Sequence, residues 1–275
     1  MTMVPSMTIV TCAISACISL CLPVVLLAVF AVKNKKQGII SAWLLGAAGF
    51  FVTQILIRVP ILTVLQTQSR FVEFANSHIF AYTFTLAFTA GLFELAGRFG
   101  VAKILEKKLT WKRTLAAGLG HGGIEAMILV GMTYLNNILY IFMINSGTFD
   151  AVVSEAVAAG VDVSALLMVK DQLFSSTPAL FLLGGFERIL AMIGHLGMCM
   201  IVCYGVYTDK PLKGALICLG IHTLMDLTAG ISMLIGKGLS QTAAYVIIYA
   251  ILTVMAVLSV LIIRKIRRSW RETEE

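Results

Sequence analysis

Nine ionisable side chains stand inside runs of residues apolar enough to cross a membrane: Glu94, Arg98, His121, Glu125, Glu187, Arg188, His195, His222 and Asp226. A charge at the bilayer centre costs about 2.5–3.5 kcal/mol on insertion scales, so such residues pair with one another and mark function. Their spacing is ordered. Glu94/Arg98, His121/Glu125 and His222/Asp226 are each four residues apart, and Arg188 and His195 are seven apart, so each set shares a helix face. Counted from the nearest flanking charge (Lys103, Lys213, Arg113 and Asp209), Glu94, His222, Glu125 and His195 lie nine, nine, twelve and fourteen residues into their runs. At 1.5 Å per residue these are depths of about 13 to 21 Å, one layer near mid-membrane. Glu187 and Arg188 lie about two turns beyond His195 and form a second layer.

Histidine and glutamate gathered from separate helices are ligand types for zinc, and a catalytic zinc keeps three protein ligands and one open position. The metal brings the pKa of its water toward ~7, and a nearby Glu can take the proton. Asp226, four residues after His222, is placed to orient that imidazole. Gly118, Gly120, Gly122 and Gly123 allow close helix approach or a water-filled opening beside the site. Four carboxylates against two arginines leave −2 with neutral imidazoles, which either a divalent cation or protonation of buried carboxyls would offset.

The elements that must carry these residues follow from composition. The chain has 275 residues, 59% hydrophobic and 13% charged, where soluble domains are about a quarter charged. Seven runs are long enough to span: 7–32, 38–60, 79–102, 114–145, 177–207, 212–235 and 240–263. The expectation is an all-α, polytopic transmembrane helical bundle forming a single integral membrane domain over residues 1–275. The net charge of +7 is no nucleic-acid signal. Segments 33–36, 103–113, 208–213 and 264–271 hold 15 of the 21 basic residues. The alternate side holds Arg58, Arg70, Lys170 and Lys237. That bias puts the N-terminus outside and the C-terminus inside. The "KNKK" at 33–36 follows the first run, which reads as a retained span. The loop at about 146–176 is expected to form a short helix outside, and "RKIRRSWR" (264–271) to act as a topology anchor, with contact to anionic lipid in addition. The six cysteines all fall in apolar runs and read as reduced packing residues.

The stretches "ELAGRF" (94–99), "HGGIEA" (121–126), "FERILAMIGH" (186–195) and "HTLMD" (222–226) resemble the YhfC family of intramembrane metalloproteases. That family is similar to the CAAX-prenyl-protease and bacteriocin-processing group and to PrsW-type membrane proteases. The resemblance runs from the third span to the sixth. It implies that Glu94 is the general base and Arg98 the basic residue of the acidic motif. It implies Glu125 as the second-helix ligand, with His195, His222 and Asp226 completing the later motifs. Two departures stand out: Phe93 replaces the first of two adjacent glutamates, and His121 stands where CAAX-type members often have Phe.

The reading is therefore an intramembrane zinc metalloprotease of the plasma (inner) membrane acting on a membrane-associated peptide or protein. One Zn2+ would be held by His195, His222 and either Glu125 or His121, with Glu94 activating the water. Glu187 and Arg188 would support the site or clamp substrate. Two alternatives use the same residues: a proton- or ion-coupled transporter with a buried relay, and a non-catalytic membrane scaffold.

Overall fold

A computed structural model describes residues 3–232 and 238–274. Lys237, counted above with the outer charges, and the end of the sixth expected span lie outside the described residues. The described chain is helical, with no β-strand. Seven helices are long and apolar enough to cross a membrane: α1 (Ser6–Lys33), α2 (Ile39–Gln66), α4 (Ile79–Lys108), α5 (Trp111–Ser146), α8 (Pro178–Tyr207), α9 (Pro211–Ser232) and α10, which runs Gln241–Glu274. Three short helices connect them: α3 (Ser69–Ser77), α6 (Phe149–Ala158) and α7 (Ser164–Ser175). The seven expected runs are thus the seven long helices. The expected outer helix is two, α6 and α7, pinned where Lys170 reaches Asp150 at 2.6 Å and lies over the Phe149 ring.

The boundaries have local causes. Pro178 and Pro211 each open a helix, where a missing N–H costs nothing. Gly147, at φ 78°, ends α5, and Thr148 N–H returns to Met143 O at 2.9 Å. Two helices contain π-helical stretches, Phe51–Arg58 in α2 and Ala126–Gly131 in α5. The first ends two residues before Pro60, whose ring would collide with a regular turn before it. Such stretches are frequent at functional sites.

The chain divides into two compact units. The first comprises Met1–Val24 and Ala126–Ile189. Its core joins Val4, Cys12 and Ala16 to Tyr134, Ile141, Phe149, Leu173 and Phe181, and Ser15 Oγ donates to Phe181 O at 2.6 Å.

The second unit comprises Val25–Glu125 and Leu190–Glu275. Helices α2 and α5 meet there at backbone distance. A Cβ on Gly46 would stand 1.9 Å from Ala117 O, and one on Gly120 would stand 1.9 Å from Trp43 O. Small residues at such crossings let helices associate where no hydrophobic drive exists.

The basic segments of this unit converge on one end of its bundle. Arg113 donates to Gln37 O at 2.8 Å, Arg267 lies over the Trp111 ring at 4.4 Å, and Trp270 stacks on Tyr207 at 4.6 Å. The last turns of α10 therefore meet protein through Trp270, which is fully buried, while Arg264, Lys265, Arg267 and Arg268 beside it stay exposed. A 34-residue helix is about 50 Å long and outruns a hydrocarbon layer of about 30 Å. Its end can therefore fold onto the ends of α5 and α8.

Candidate metal centre

The second unit brings five helices to one buried point. Helix α4 supplies Glu94 and Arg98, α5 supplies His121 and Glu125, α8 supplies His195, and α9 supplies His222 and Asp226. Helix α2 adds Gln54 and Arg58. Glu94, Arg98, His121, His195 and His222 are each at most 4% exposed.

Glu94 Oε2 is the hub. His222 Nε2 lies 2.7 Å from it, Arg98 Nη2 2.9 Å, His121 Nε2 3.0 Å and His195 Nδ1 3.7 Å. Arg98 Nη2 also donates to His195 Nδ1 at 2.5 Å. A guanidinium only donates, so that contact assigns His195 Nδ1 as an acceptor and places any ring proton on Nε2. His195 Nε2 faces Glu125 Oε2 at 2.8 Å, yet the pair lacks the alignment of a hydrogen bond. His222 Nδ1 stands 3.3 Å from Asp226 Oδ2, again out of line.

The histidines are held by packing as well. Phe50 sets its ring edge-on to His121 at 5.4 Å. A Cβ on Gly122 would stand 2.9 Å from His195 Cβ, so the bare backbone of α5 is what lets His195 in.

Sequence reasoning missed Gln54. Its Nε2 donates to Glu94 Oε1 at 2.8 Å and to Ala90 O at 3.3 Å, and its Oε1 accepts from Arg58 Nη1 at 3.3 Å. Arg58, counted above with the outer charges, also donates to Leu86 O at 2.7 Å. A neutral amide in an apolar run escapes a search for charges. The signal present was Gln54 and Arg58 four apart, the same spacing as the other three pairs.

Glu187 and Arg188 belong to the first unit, where the Arg188 guanidinium donates to Glu187 Oε1. Within the second unit the centre holds three carboxylates, Glu94, Glu125 and Asp226, against Arg58 and Arg98, a net −1 with neutral imidazoles.

The donor set fits a metal ion. Ligand atoms of Glu94, His121 and His195 lie within 4.8 Å of one another and all three residues are buried. His121 Nδ1, His195 Nε2 and His222 Nδ1 are buried ring nitrogens without a hydrogen bond, a costly state that coordination chemistry or its supporting contacts relieve. One contact has to give way: a metal taken at His195 Nδ1 displaces the Arg98 hydrogen bond on the same lone pair.

Residues 18–252 match the family model described as YhfC intramembrane metalloprotease. The chain belongs to the YhfC intramembrane metalloprotease family. The match covers all seven spans in whole or in part and every residue of the centre described above. A YhfC relative, described as an uncharacterized membrane protein YhfC of Bacillus subtilis (strain 168), is 32% identical over 267 residues. That alignment covers 97% of this chain and 99% of the relative. No solved structure matches the chain. With seven apolar helices and this membership, the chain is a multi-pass integral membrane protein.

Proposed function

We propose that the chain is a zinc metalloprotease of the plasma (inner) membrane that hydrolyses a peptide bond in or beside the bilayer. One observation carries the reading: three imidazoles from three helices converge within 3.7 Å of a single carboxylate oxygen of Glu94 in a buried layer. A cluster of this kind in oil is stabilised by a cation, and the family's description supports a metal there.

In this reading one zinc ion is held by His121, His195 and His222, with His121 rather than Glu125 as the third ligand. His121 Nε2 lies 3.0 Å from the shared oxygen, whereas Glu125 meets His195 at 2.8 Å on the ring nitrogen opposite that oxygen. When bound, zinc supplies Lewis acidity, polarising a carbonyl and making water acidic enough to attack near neutral pH.

The rest is the work of the chain's own side chains. Glu94 accepts the proton of the attacking water at Oε2 as the water oxygen bonds to the peptide carbon. It returns that proton to the amine nitrogen as the C–N bond breaks. Gln54 ties down Oε1, so the proton-accepting oxygen stays turned toward the histidines. Arg98, always charged, stands within reach of negative charge developing on the carbonyl oxygen. Asp226 steadies His222. The substrate is a membrane-associated peptide or protein.

A second reading is favoured by the compactness of the Glu94, His121 and His195 trio. There Glu94 is itself a ligand, and Glu125 takes the role of base. Glu94→Gln separates the two. The first reading expects about one zinc per chain to remain, while hydrolysis of fluorescently labelled casein in detergent falls about 100-fold or more. The second expects the zinc to leave. Zinc-free wild-type protein that carries pH-dependent flux into vesicles would return the centre to the relay alternative.

A further inference from the structure

A cavity of about 400 Å³ opens in the second unit between the end of α8, the start of α9 and the far part of α10. Its lining has two halves. Lys210 and Lys213 flank the start of α9 and Lys265 comes from α10, and Ile201, Ile217, Ile262 and Ile266 complete the apolar part. Ile217 lies four residues past Lys213 and Ile262 three before Lys265. Two of the isoleucines therefore sit about 4.5–6 Å deeper along their helices than the neighbouring lysines.

Among the described residues no carboxylate lines the cavity. Among the described residues none of the three lysines has an ion pair. Three ammonium groups around one opening repel one another unless they share an anion, and the end of the bundle where they meet also carries the other basic segments.

We infer that this cavity binds one anionic phospholipid, with its phosphate among Lys210, Lys213 and Lys265 and an acyl chain along the isoleucines. Basic pockets between spanning helices are the recurring sites for such headgroups. The apolar wall is what a free phosphate would not use. The site involves none of the residues of the metal centre, so it stands whether or not the chain cleaves peptides.

The test uses the full chain in nanodiscs and in detergent. Native mass spectrometry is expected to show phosphatidylglycerol retained in preference to phosphatidylcholine. The triple variant Lys210→Gln/Lys213→Gln/Lys265→Gln should lose that retention about 100-fold, at about five-fold per charge. The triple Lys33→Gln/Lys35→Gln/Lys36→Gln, which removes equal charge elsewhere, should keep it. Lys265→Gln alone, at an exposed position, should show the single five-fold step and keeps the test open if the triple variant misfolds. Inorganic phosphate at the same concentration should not raise the unfolding temperature, whereas phosphatidylglycerol should. Equal loss in both triple variants, no preference over phosphatidylcholine, or equal stabilisation by inorganic phosphate would each overturn the inference.

Discussion

Glu94 has both carboxylate oxygens engaged, and the two do different things. Oε2 is shared by His121, His222 and Arg98, while Oε1 is held by Gln54. Replacing Gln54 with Leu removes a buried partner and leaves Oε1 unsatisfied, a cost of about 1–3 kcal/mol. In a metalloprotease it also frees the base to rotate, so activity or metal affinity should fall about 10- to 100-fold, the usual effect of losing an outer hydrogen bond at a metal site. Zinc titration of the folded Gln54→Leu variant beside its casein hydrolysis measures both, and unchanged values would remove Gln54 from the site. Sequence reasoning reached the ionisable members of the centre because charge in oil is conspicuous and their spacings agree. It did not reach Gln54, because an amide raises no such alarm, and it counted Arg58 with the outer charges because the second apolar run ends near residue 60. The helix in fact continues to Gln66 through a π-helical stretch.

Helices α2 and α5 are held together by absence of side chains. Gly46 and Gly120 face backbone at distances no Cβ tolerates, so Gly46→Ala or Gly120→Ala must push the two helices apart. Overpacking of this kind costs about 1–3 kcal/mol. Because α5 carries His121 beside Gly120, zinc should be lost along with stability. Gly100 and Gly220 meet nothing within 4 Å and sit inside helices, so their replacement by Ala should raise stability by up to about 1 kcal/mol. Thermal unfolding of the four variants in detergent tests the contrast, and four equal shifts would contradict it. The helices themselves were legible because twenty-residue apolar runs have few alternatives in a bilayer. The two π-helical stretches were not, since they depend on how Pro60 and the glycine-rich part of α5 settle against neighbours. Nor was the seating of Trp270 on Tyr207, which needs the end of α8 brought to the end of α10.

For the molecule in its membrane, the alternation of basic segments gave an expected orientation, N-terminus outside and C-terminus inside. The fold adds that 33–37, 108–113, 207–213 and 264–270 meet at one end of the second unit. A fluorescent protein fused after Glu275 should therefore mature and an alkaline phosphatase fused there should stay inactive. The reverse pair of signals would invert the orientation. Membership of the YhfC family and seven spanning helices fix the chain as an integral membrane protein. The catalytic reading rests on the centre and on the family's description.

That centre is tested most directly by the zinc content of the purified chain, measured for the wild type beside His195→Ala and His222→Ala. The account predicts about one zinc per wild-type chain, surviving gel filtration, and its loss in both variants while each stays folded. A folded wild type that takes up no zinc, or variants that keep it, would contradict the claim that these helices converge to hold a metal.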